Sequence, residues 1–192
     1  MKFVNPPETL VPARSNRGNN EEIDSDVTNR FGTGTTNDFT VLSGDEKCDI
    51  GAGYYKMGSI GDFVWMDDNG NGMRESNEEG VSDVVVRAMN LEGDVVASTV
   101  SDEMGHYVLD YLGKDSYFIH FEVPSELYPT SANIGVDDSI DSDIDNSYGE
   151  FTTKLYQVSP GAHIPNVDAG LMFGILPVEW LDVWGENRTS HN

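Results

Sequence analysis

The chain has 192 residues, enough for one or two domains of ordinary size, and its 38% hydrophobic content allows a buried core, which excludes wholesale disorder. Eleven basic residues against 34 acidic residues give a net charge of −23 at pH 7, which argues against nucleic acid and anionic membranes as partners. Charge of this size also opposes a compact fold unless cations neutralise part of it.

The cysteine content and the hydropathy pattern further limit the class of protein to which the chain can belong. Cys48 is the only cysteine, so no intrachain disulfide can form, and a secreted domain without disulfides often relies on metal ions for stability. Apolar runs of about 18 residues are absent, so we predict no membrane insertion. The first ten residues lack the apolar core of a signal peptide, and we expect any export signal to lie outside this sequence.

The first segment, residues 1–57, resembles a later part of the chain. Phe3 to Tyr55 matches Phe121 to Met172 at an offset of 117 or 118 residues, and both copies contain the same Asp-Ser-Asp core. A repeat of about 115 residues has the size of a whole domain. We therefore expect residues 1–57 to be the C-terminal portion of a preceding module, or a donor segment that completes a sheet in a neighbouring subunit.

Residues 59–172 have the pattern of a complete β module. A strand is predicted from Ile60 to Met66, with Phe63 and Trp65 on one face. Hairpins are predicted around turns at 92–94, 113–115 and 160–161. Short strands at this spacing predict an all-β fold, either a sandwich or a Greek-key barrel.

The tail, residues 173–192, changes character. It is apolar and interrupted by Pro177, and we interpret it as a linker towards a further strand or domain. Asn187 begins a formal glycosylation sequon, Asn-Arg-Thr.

The segment from Asp67 to Glu78 reads DDNGNGMRESNE and fits the calcium loop of EF-hands. Gly72 stands at the sixth position, where the chain must bend sharply. Six or seven hard oxygen ligands suit Ca²⁺ better than Mg²⁺. Strand patterns flank the loop on both sides, which favours a structural ion over a sensor. The predicted ligands are the side chains of Asp67, Asn69, Asn71, Glu75 and Glu78 and the backbone carbonyl of Met73.

A second acidic cluster follows later in the chain. Its five carboxylates repel one another and need cations or full solvation. On a strand, the last three would share one face. The cluster consists of Asp137, Asp138, Asp141, Asp143 and Asp145.

Five further carboxylates are candidate metal ligands. Asp24 and Asp26 repeat the Asp-Ser-Asp core in the first copy, and Asp62 and Asp168 stand in predicted strands near the ends of the module. Asp102 is expected to form an Asx turn between two strands and could also reach a metal ion.

Catalysis finds little support in the sequence. None of the four histidines lies near a cysteine or another histidine in sequence, which argues against zinc. Nucleophile elbows and phosphate-binding loops are absent. The carboxylates are spaced as metal ligands, whereas a glycosidase needs one pair across a cleft. We therefore predict no enzymatic activity and no small-molecule substrate.

These motifs resemble the B-type (SdrD B-like) repeat of serine-aspartate-repeat surface adhesins. The resemblance rests on Ile60 to Asp67 with the loop that follows, on the 101–107 segment, which is similar to collagen-adhesin B-type domains, and on the closing Asp168 to Leu171. It covers 59–172, and its closing portion covers 2–55. The resemblance implies a prealbumin-like, Ig-like sandwich with several calcium ions, in the stalk of a secreted cell-surface protein. Glu75 departs from the aspartate usual in the family.

Three hypotheses about function follow from these motifs and from the resemblance. The first is a calcium-rigidified spacer module in a surface protein or extracellular fibre. The second is a pilus-like fibre subunit that polymerises by strand exchange through residues 1–57. The third is a ligand-binding adhesin domain, for which the sequence contains no evident apolar groove. The expected partners are neighbouring modules of the same chain or identical subunits in a fibre.

Overall fold

The computed structural model describes residues 1–4, 9–15, 17 and 24–174, so most of the tail and the sequon at Asn187 lie outside the described residues. All regular elements in these ranges are β-strands, which confirms the all-β fold. A helix long and apolar enough to cross a membrane does not occur in them.

Eleven strands are formed within the described ranges. They are β1 (Leu10–Pro12), β2 (Tyr54–Lys56), β3 (Gly58–Met66), β4 (Val85–Met89), β5 (Val95–Val100), β6 (His106–Leu112), β7 (Ser116–Phe121), β8 (Leu127–Pro129), β9 (Tyr156–Gln157), β10 (His163–Ile164) and β11 (Ala169–Phe173).

Two sheets face each other in the complete module. In one, β3 pairs with β6 on one side and, in parallel, with β10 and β11 on the other, and β8 follows β11. In the other sheet the order is β5-β4-β7-β9. Ile60 and Val64 of β3 and Val86 of β4 are buried in the core between the sheets. The fold is thus a β-sandwich around one apolar core.

Strand β3 is buried on both of its faces. Ile60 and Val64 point into the sandwich core, whereas Trp65 is also fully buried and points the other way. A Cβ atom built on Gly170 would lie 2.7 Å from Cζ2 of Trp65, so the indole ring packs directly on this glycine. The chain therefore needs a second layer outside the sheet to cover the tryptophan.

One of the three predicted hairpins is correct. Strands β4 and β5 pair in antiparallel fashion around the turn at 92–94, where Gly93 has a φ of 85°. The other two turns, at 113–115 and 160–161, connect strands of opposite sheets, so those hairpin predictions are wrong. Glycine and alternating apolar residues mark a turn between strands, but they do not specify whether the second strand stays in the same sheet.

Residues 1–57 repeat the back half of the sandwich. Strand β1 pairs with β2 in the same register as β8 with β11: Leu10 lies opposite Lys56, and Leu127 lies opposite Phe173. These partners differ by 117 residues in both strands. The described part of residues 1–57 contains no counterparts of β3 to β7.

The two copies also share their turn hydrogen bonds. The Thr35 hydroxyl donates to the carbonyl of Gly32 at 2.7 Å, and the Thr152 hydroxyl donates to the carbonyl of Gly149 at the same distance. The N–H of Asp26 donates to the carbonyl of Gly51 at 2.9 Å, as the N–H at 143 does to the carbonyl at 168. The local structure of the back half therefore forms twice.

Candidate metal centre

The loop at 67–78 is closed at its base by backbone hydrogen bonds. It leaves the end of β3, and Trp65 forms an isolated bridge with Gly80, where the chain returns. The N–H of Met66 donates to the carbonyl of Glu79 at 2.8 Å. The N–H of Asp67 donates to the carbonyl of Leu171 in β11 at 2.7 Å. The first loop residue is thereby tied to two strands of the sandwich.

Asp67 organises the first half of the loop. Its Oδ1 accepts N–H groups from Gly70 at 2.6 Å and Asn71 at 3.2 Å, and its Oδ2 accepts the N–H of Gly72 at 2.8 Å and the hydroxyl of Thr130 at 2.5 Å. Burial opposes ionisation of this carboxyl, but these hydrogen bonds outweigh it and lower the pKa of Asp67. The loop is therefore built around an ionised carboxylate.

The asparagines turn towards Glu75 inside the loop. Nδ2 of Asn69 donates to Oε2 of Glu75 at 3.2 Å, and Nδ2 of Asn71 donates to Oε1 at 2.6 Å. The Oδ1 atoms of the two asparagines accept N–H groups from Asn71 and Met73. Rotation about the last side-chain bond exchanges the amide oxygen and nitrogen, so these residues can also present oxygen to a cation.

Glu78 closes the loop. Its Oε1 accepts the N–H of Asp68 at 3.0 Å, and its Oε2 accepts the N–H of Glu75 at 2.9 Å. Burial raises the pKa of Glu78, and the negative charge of Glu75 adds to this beyond what the N–H donors offset. A cation between the two carboxylates would replace repulsion by attraction.

Gly72 is required where it stands. Its φ is 81°, and a Cβ there would lie 2.5 Å from the carbonyl oxygen of Ser131 and 2.9 Å from Cγ1 of Ile134. Next to it, Met73 forms a bridge with Asp141. The loop thus packs on the segment around 131–141, and together they form the layer on the outer side of β3.

The donor set fits a hard cation, since it consists of carboxylate, amide and carbonyl oxygens. Among the described residues, no group of three or more histidine, cysteine, aspartate or glutamate side chains is arranged to hold a metal ion. A cation in the 67–78 loop would therefore depend on Asn69, Asn71 and the carbonyl of Met73 besides the carboxylates.

The second acidic cluster is split by the fold. Asp137 and Asp138 are exposed, Asp145 is half-buried, and Asp141 and Asp143 are buried. The strand that would align the last three on one face is not formed, because only isolated bridges occur at Asp141 and Ser142. Asp145 instead accepts the N–H of Ser147 at 2.9 Å, a local bond that competes with strand pairing.

Asp143 lies in a polar pocket inside the module. Its Oδ1 accepts the hydroxyl of Tyr156 at 2.7 Å and lies 3.2 Å from Nζ of Lys154. Its Oδ2 accepts the N–H of Asp168 at 2.9 Å. Burial raises the pKa of Asp143 in spite of these partners. Lys154 also lies 3.6 Å from Asp138, so one lysine serves two carboxylates of the cluster.

Asp168 is the most strongly perturbed carboxyl of the site. It is buried, and neither of its oxygens has a hydrogen-bond partner of good geometry, although the backbone N–H of Phe63 lies close enough to lower its pKa slightly. Burial and then the charge of Asp62 raise its pKa to about 8, and Arg74 offsets this only in part. Asp62, Asp143 and Asp168 are thereby coupled, although they stand far apart in sequence. Arg74 belongs to the 67–78 loop and stacks on Phe63, 4.3 Å from the ring centroid.

The remaining candidates have separate roles. Oδ1 of Asp102 accepts the N–H groups of Met104 and His106 at 2.9 Å each, which confirms the predicted Asx turn. Oδ1 of Asp24 is buried without a partner, as is Oδ1 of Asp141, its counterpart in the second copy. Oδ2 of Asp26 accepts the N–H of residue 51 at 2.8 Å.

Sequence reasoning missed three residues of this region. Thr130, Lys154 and Tyr156 each bind a buried carboxylate from a distant part of the chain. Short motifs do not single them out, because threonine, lysine and tyrosine are ordinary in strands and turns.

Comparisons with known proteins agree with this architecture. A family model described as the SdrD B-like domain matches residues 58–171. Serine-aspartate repeat-containing protein F of Staphylococcus epidermidis is 36% identical over 139 residues, which cover 71% of this chain and 8% of that protein. Serine-aspartate repeat-containing protein D of Staphylococcus aureus is 35% identical over 134 residues, covering 69% and 10%.

A solved structure, the minor pilin GBS52 of Streptococcus agalactiae, aligns with a TM-score of 0.42 and 12% identity over 71% of this chain and 59% of that chain, too weakly to add to the argument. The chain spans only about a tenth of the length of the curated relatives it matches. The family model covers more than half of the chain, and the resemblance read from the sequence is confirmed: the chain belongs to the SdrD B-like domain family.

Proposed function

We propose that this chain is a calcium-rigidified, non-enzymatic spacer module of a secreted bacterial cell-surface protein. The observation that carries the proposal is the 67–78 loop, whose base is paired by backbone hydrogen bonds and whose interior is organised by the hydrogen bonds of the buried Asp67 and of Glu75. The serine-aspartate repeat-containing names of its relatives support a place in a repetitive surface protein.

Calcium would stiffen the module by ordering the layer that covers the outer side of β3. The ion would be held by Asp67, Asn69, Asn71, Glu75, Glu78 and the carbonyl of Met73. The loop contacts the segment around 131–141 through Gly72 and Met73, so ordering the loop also orders the cover over Trp65. An ion that binds only the folded state adds its binding free energy to the stability of that state.

A further cation site is proposed at the buried carboxylates. Asp168 has two buried oxygens without partners, and Asp62 and Asp143 are close enough to perturb it, although the three carboxylates are not arranged to hold an ion in this structure and would have to move closer together to do so. A divalent ion would remove the cost of burying these charges. The remaining acidic cluster, Asp137, Asp138, Asp141 and Asp145, would supply oxygens at the neighbouring surface.

Thermal melts with calcium and with EDTA test the proposed function. We expect chelation to lower the melting temperature by an amount on the order of tens of degrees. Asp67→Asn and Glu78→Gln should reduce the calcium effect strongly, whereas Glu79→Gln, an exposed neighbour, should leave it unchanged. Equal melting temperatures in calcium and EDTA would contradict the proposal.

A fibre subunit is the second candidate, because residues 1–57 carry only the back half of a sandwich. Strand exchange through this segment would link copies into a fibre. Size-exclusion chromatography separates the two: a monomer supports the spacer, and concentration-dependent polymers support the fibre.

A further inference from the structure

We propose that a basic cleft between residues 1–57 and the complete module binds an acidic glycan, a sugar chain that carries carboxylate or sulfate groups. This inference goes beyond the spacer function and depends neither on calcium nor on a neighbouring module. The cleft has a volume of about 660 Å³. Six described residues line it: Ala13, Arg14, Arg17, Tyr55, Lys114 and Pro160.

Backbone hydrogen bonds hold the walls of the basic cleft in place. The N–H of Met57 donates to the carbonyl of Thr9 at 3.1 Å, and the N–H of Gly161 donates to the carbonyl of Lys56 at 2.9 Å. Strand β2 is thereby bonded to the first segment and to the turn that carries Pro160. The cleft therefore lies between hydrogen-bonded strands and turns from both parts of the chain.

Lys114 stands on a turn that has its own support. The hydroxyl of Tyr117 donates to the carbonyl of Gly113 at 3.1 Å and so ties the turn to β7. A Cβ on Gly113 would lie 3.9 Å from the hydroxyl of Tyr55, so the turn packs next to the tyrosine that lines the cleft. The lysine and the tyrosine are thereby presented side by side.

The charge of the basic cleft is opposite to that of the chain. Acidic residues outnumber basic ones by 34 to 11 in the whole sequence, yet the described lining contains three cations and no carboxylate. Arg14, Arg17 and Lys114 are exposed, and none of them forms an ion pair with a described residue. Asp115, the acidic neighbour in sequence, accepts the N–H of Ser116 and does not line the cleft. An anion among these cations replaces repulsion by attraction.

The residue types fit a sugar ring that carries an oxyanion. Each guanidinium group can donate two parallel N–H groups to a carboxylate or sulfate, and Lys114 adds a third cation from the module side. Tyr55 and Pro160 offer apolar ring surface, which suits the C–H face of a sugar, and the tyrosine adds a hydroxyl. A volume of about 660 Å³ is in the range of small-ligand sites and exceeds the needs of a bare ion.

An acidic protein segment fits the basic cleft less well than a glycan. The chain has a net charge of −23, so a partner protein rich in carboxylates would be repelled by the surface around the cleft. An acidic glycan brings its charges singly, separated by neutral parts of the sugar rings. The described lining also comes from separate segments and offers no continuous strand edge to which a peptide could add.

Isothermal titration calorimetry of the full chain in calcium-containing buffer tests the proposal. The probes are an oligosaccharide of polygalacturonate, which carries carboxylates, one of heparin, which carries sulfates, and an uncharged dextran oligosaccharide. We expect at least one acidic probe to bind at least about tenfold more tightly than dextran, with an affinity that falls as salt is raised. The comparison of the two acidic probes identifies carboxylate or sulfate as the preferred group.

Variants of the lining residues locate the binding. Arg14→Ala combined with Arg17→Ala should weaken it at least about tenfold, and Lys114→Ala should weaken it by a smaller factor. Arg30→Ala is the matched control and should leave affinity unchanged, because Arg30 is an exposed arginine of the same segment outside the cleft. All four side chains are exposed, so thermal melts of these variants should match that of the unmodified chain.

Three outcomes would overturn the proposal. The first is that neither acidic probe binds more tightly than dextran. The second is unchanged affinity in the double arginine variant, which would place the glycan elsewhere, for example on calcium ions at the acidic surface. The third is equally tight binding of a poly-glutamate peptide of the same charge, which would make an acidic protein the ligand. Melts in calcium and EDTA test the spacer function separately, so its failure is distinguishable from failure of the basic cleft.

Discussion

Residues 1–57 and residues 58–173 contain the same back-half structure. Residues 58–173 also contain the front half of the sandwich, which the described part of residues 1–57 does not. The turn bonds of Thr35 and Thr152 are equivalent, and so are the pairs β1–β2 and β8–β11. Burial differs: among the described residues of the first segment, Val27 is the only buried hydrophobic side chain, whereas the core cluster lies wholly between Ile60 and Leu171. Local hydrogen bonds thus recur wherever the local sequence recurs, but a core needs both halves.

Removal of an aromatic side chain is expected to give the largest difference in lost stability between the two segments. Trp65→Ala should lower the free energy of unfolding of the complete module by about 3–5 kcal/mol, because a fully buried ring is lost from a closed site. Urea unfolding followed by circular dichroism measures this. Phe31→Ala, an exposed aromatic in the first segment, should change stability by less than about 0.5 kcal/mol. Equal losses of unfolding free energy in the two variants would contradict the expected difference between the segments.

The matched glycines give a smaller but sharper test. Gly170→Ala should cost about 2–3 kcal/mol, because the new methyl group overlaps Trp65 and Thr130. Gly53→Ala has only a few tenths of an ångström to accommodate and should be close to neutral. Both variants are compared by denaturant midpoint. A similar loss at both positions would show that Gly53 is packed as closely as Gly170.

A pH effect of about 2 kcal/mol should be confined to the complete module. Asp168 has a pKa of about 8 when folded against a usual 3.8, so the folded state holds its proton more tightly, and stability is lost as pH rises through about 8. The residue at the equivalent position of the first segment is Gly51, which has no titratable side chain.

In calcium-free buffer the free energy of unfolding should therefore be about 2 kcal/mol larger at pH 6 than at pH 8. The raised pKa values of Asp141, Asp143 and Glu78 act in the same direction, and the lowered pKa of His120 opposes them only towards pH 6. Asp168→Asn should flatten the slope, and stability that grows from pH 6 to pH 8 would contradict the assignment.

The smallest expected effect concerns the shared turn. Thr152→Ala should destabilise the complete module by about 1–2 kcal/mol, since the hydroxyl donates to the carbonyl of Gly149 and accepts the N–H of Tyr148, and both hydrogen bonds are lost. Thr35→Ala removes the equivalent two bonds, to Gly32 and from Phe31, from the half module, and there we expect only faster exchange of the local amides. Native-state hydrogen exchange measures both. A global loss of stability from Thr35→Ala would show that the segments unfold together.

Much of the candidate site could be read from sequence because it is local. Asp67, Asn71, Gly72, Glu75 and Glu78 lie within one loop, and the bonds among them span at most five residues. The Asx turn at Asp102 is local for the same reason. Assignment of calcium to the loop remains a prediction that the EDTA experiment decides.

The parts that were wrong or missed involve contacts between distant residues. The predicted hairpins at 113–115 and 160–161 are crossings between sheets, and the aspartates from 141 to 145 lie outside regular strands and have separate partners. The coupling of Asp62 to Asp168 joins residues that no short pattern relates.

The sequence by itself determined the strand-rich pattern, the oxygen-rich loop and the repeat, because each depends on side-chain alternation, turn residues or spacing over short distances. Only the tertiary structure decided which strands pair, how Trp65 is covered, and that Asp168 is buried beside other carboxylates. The physical reason is that burial and electrostatic coupling arise between segments that the chain brings together only when both halves of the sandwich are present.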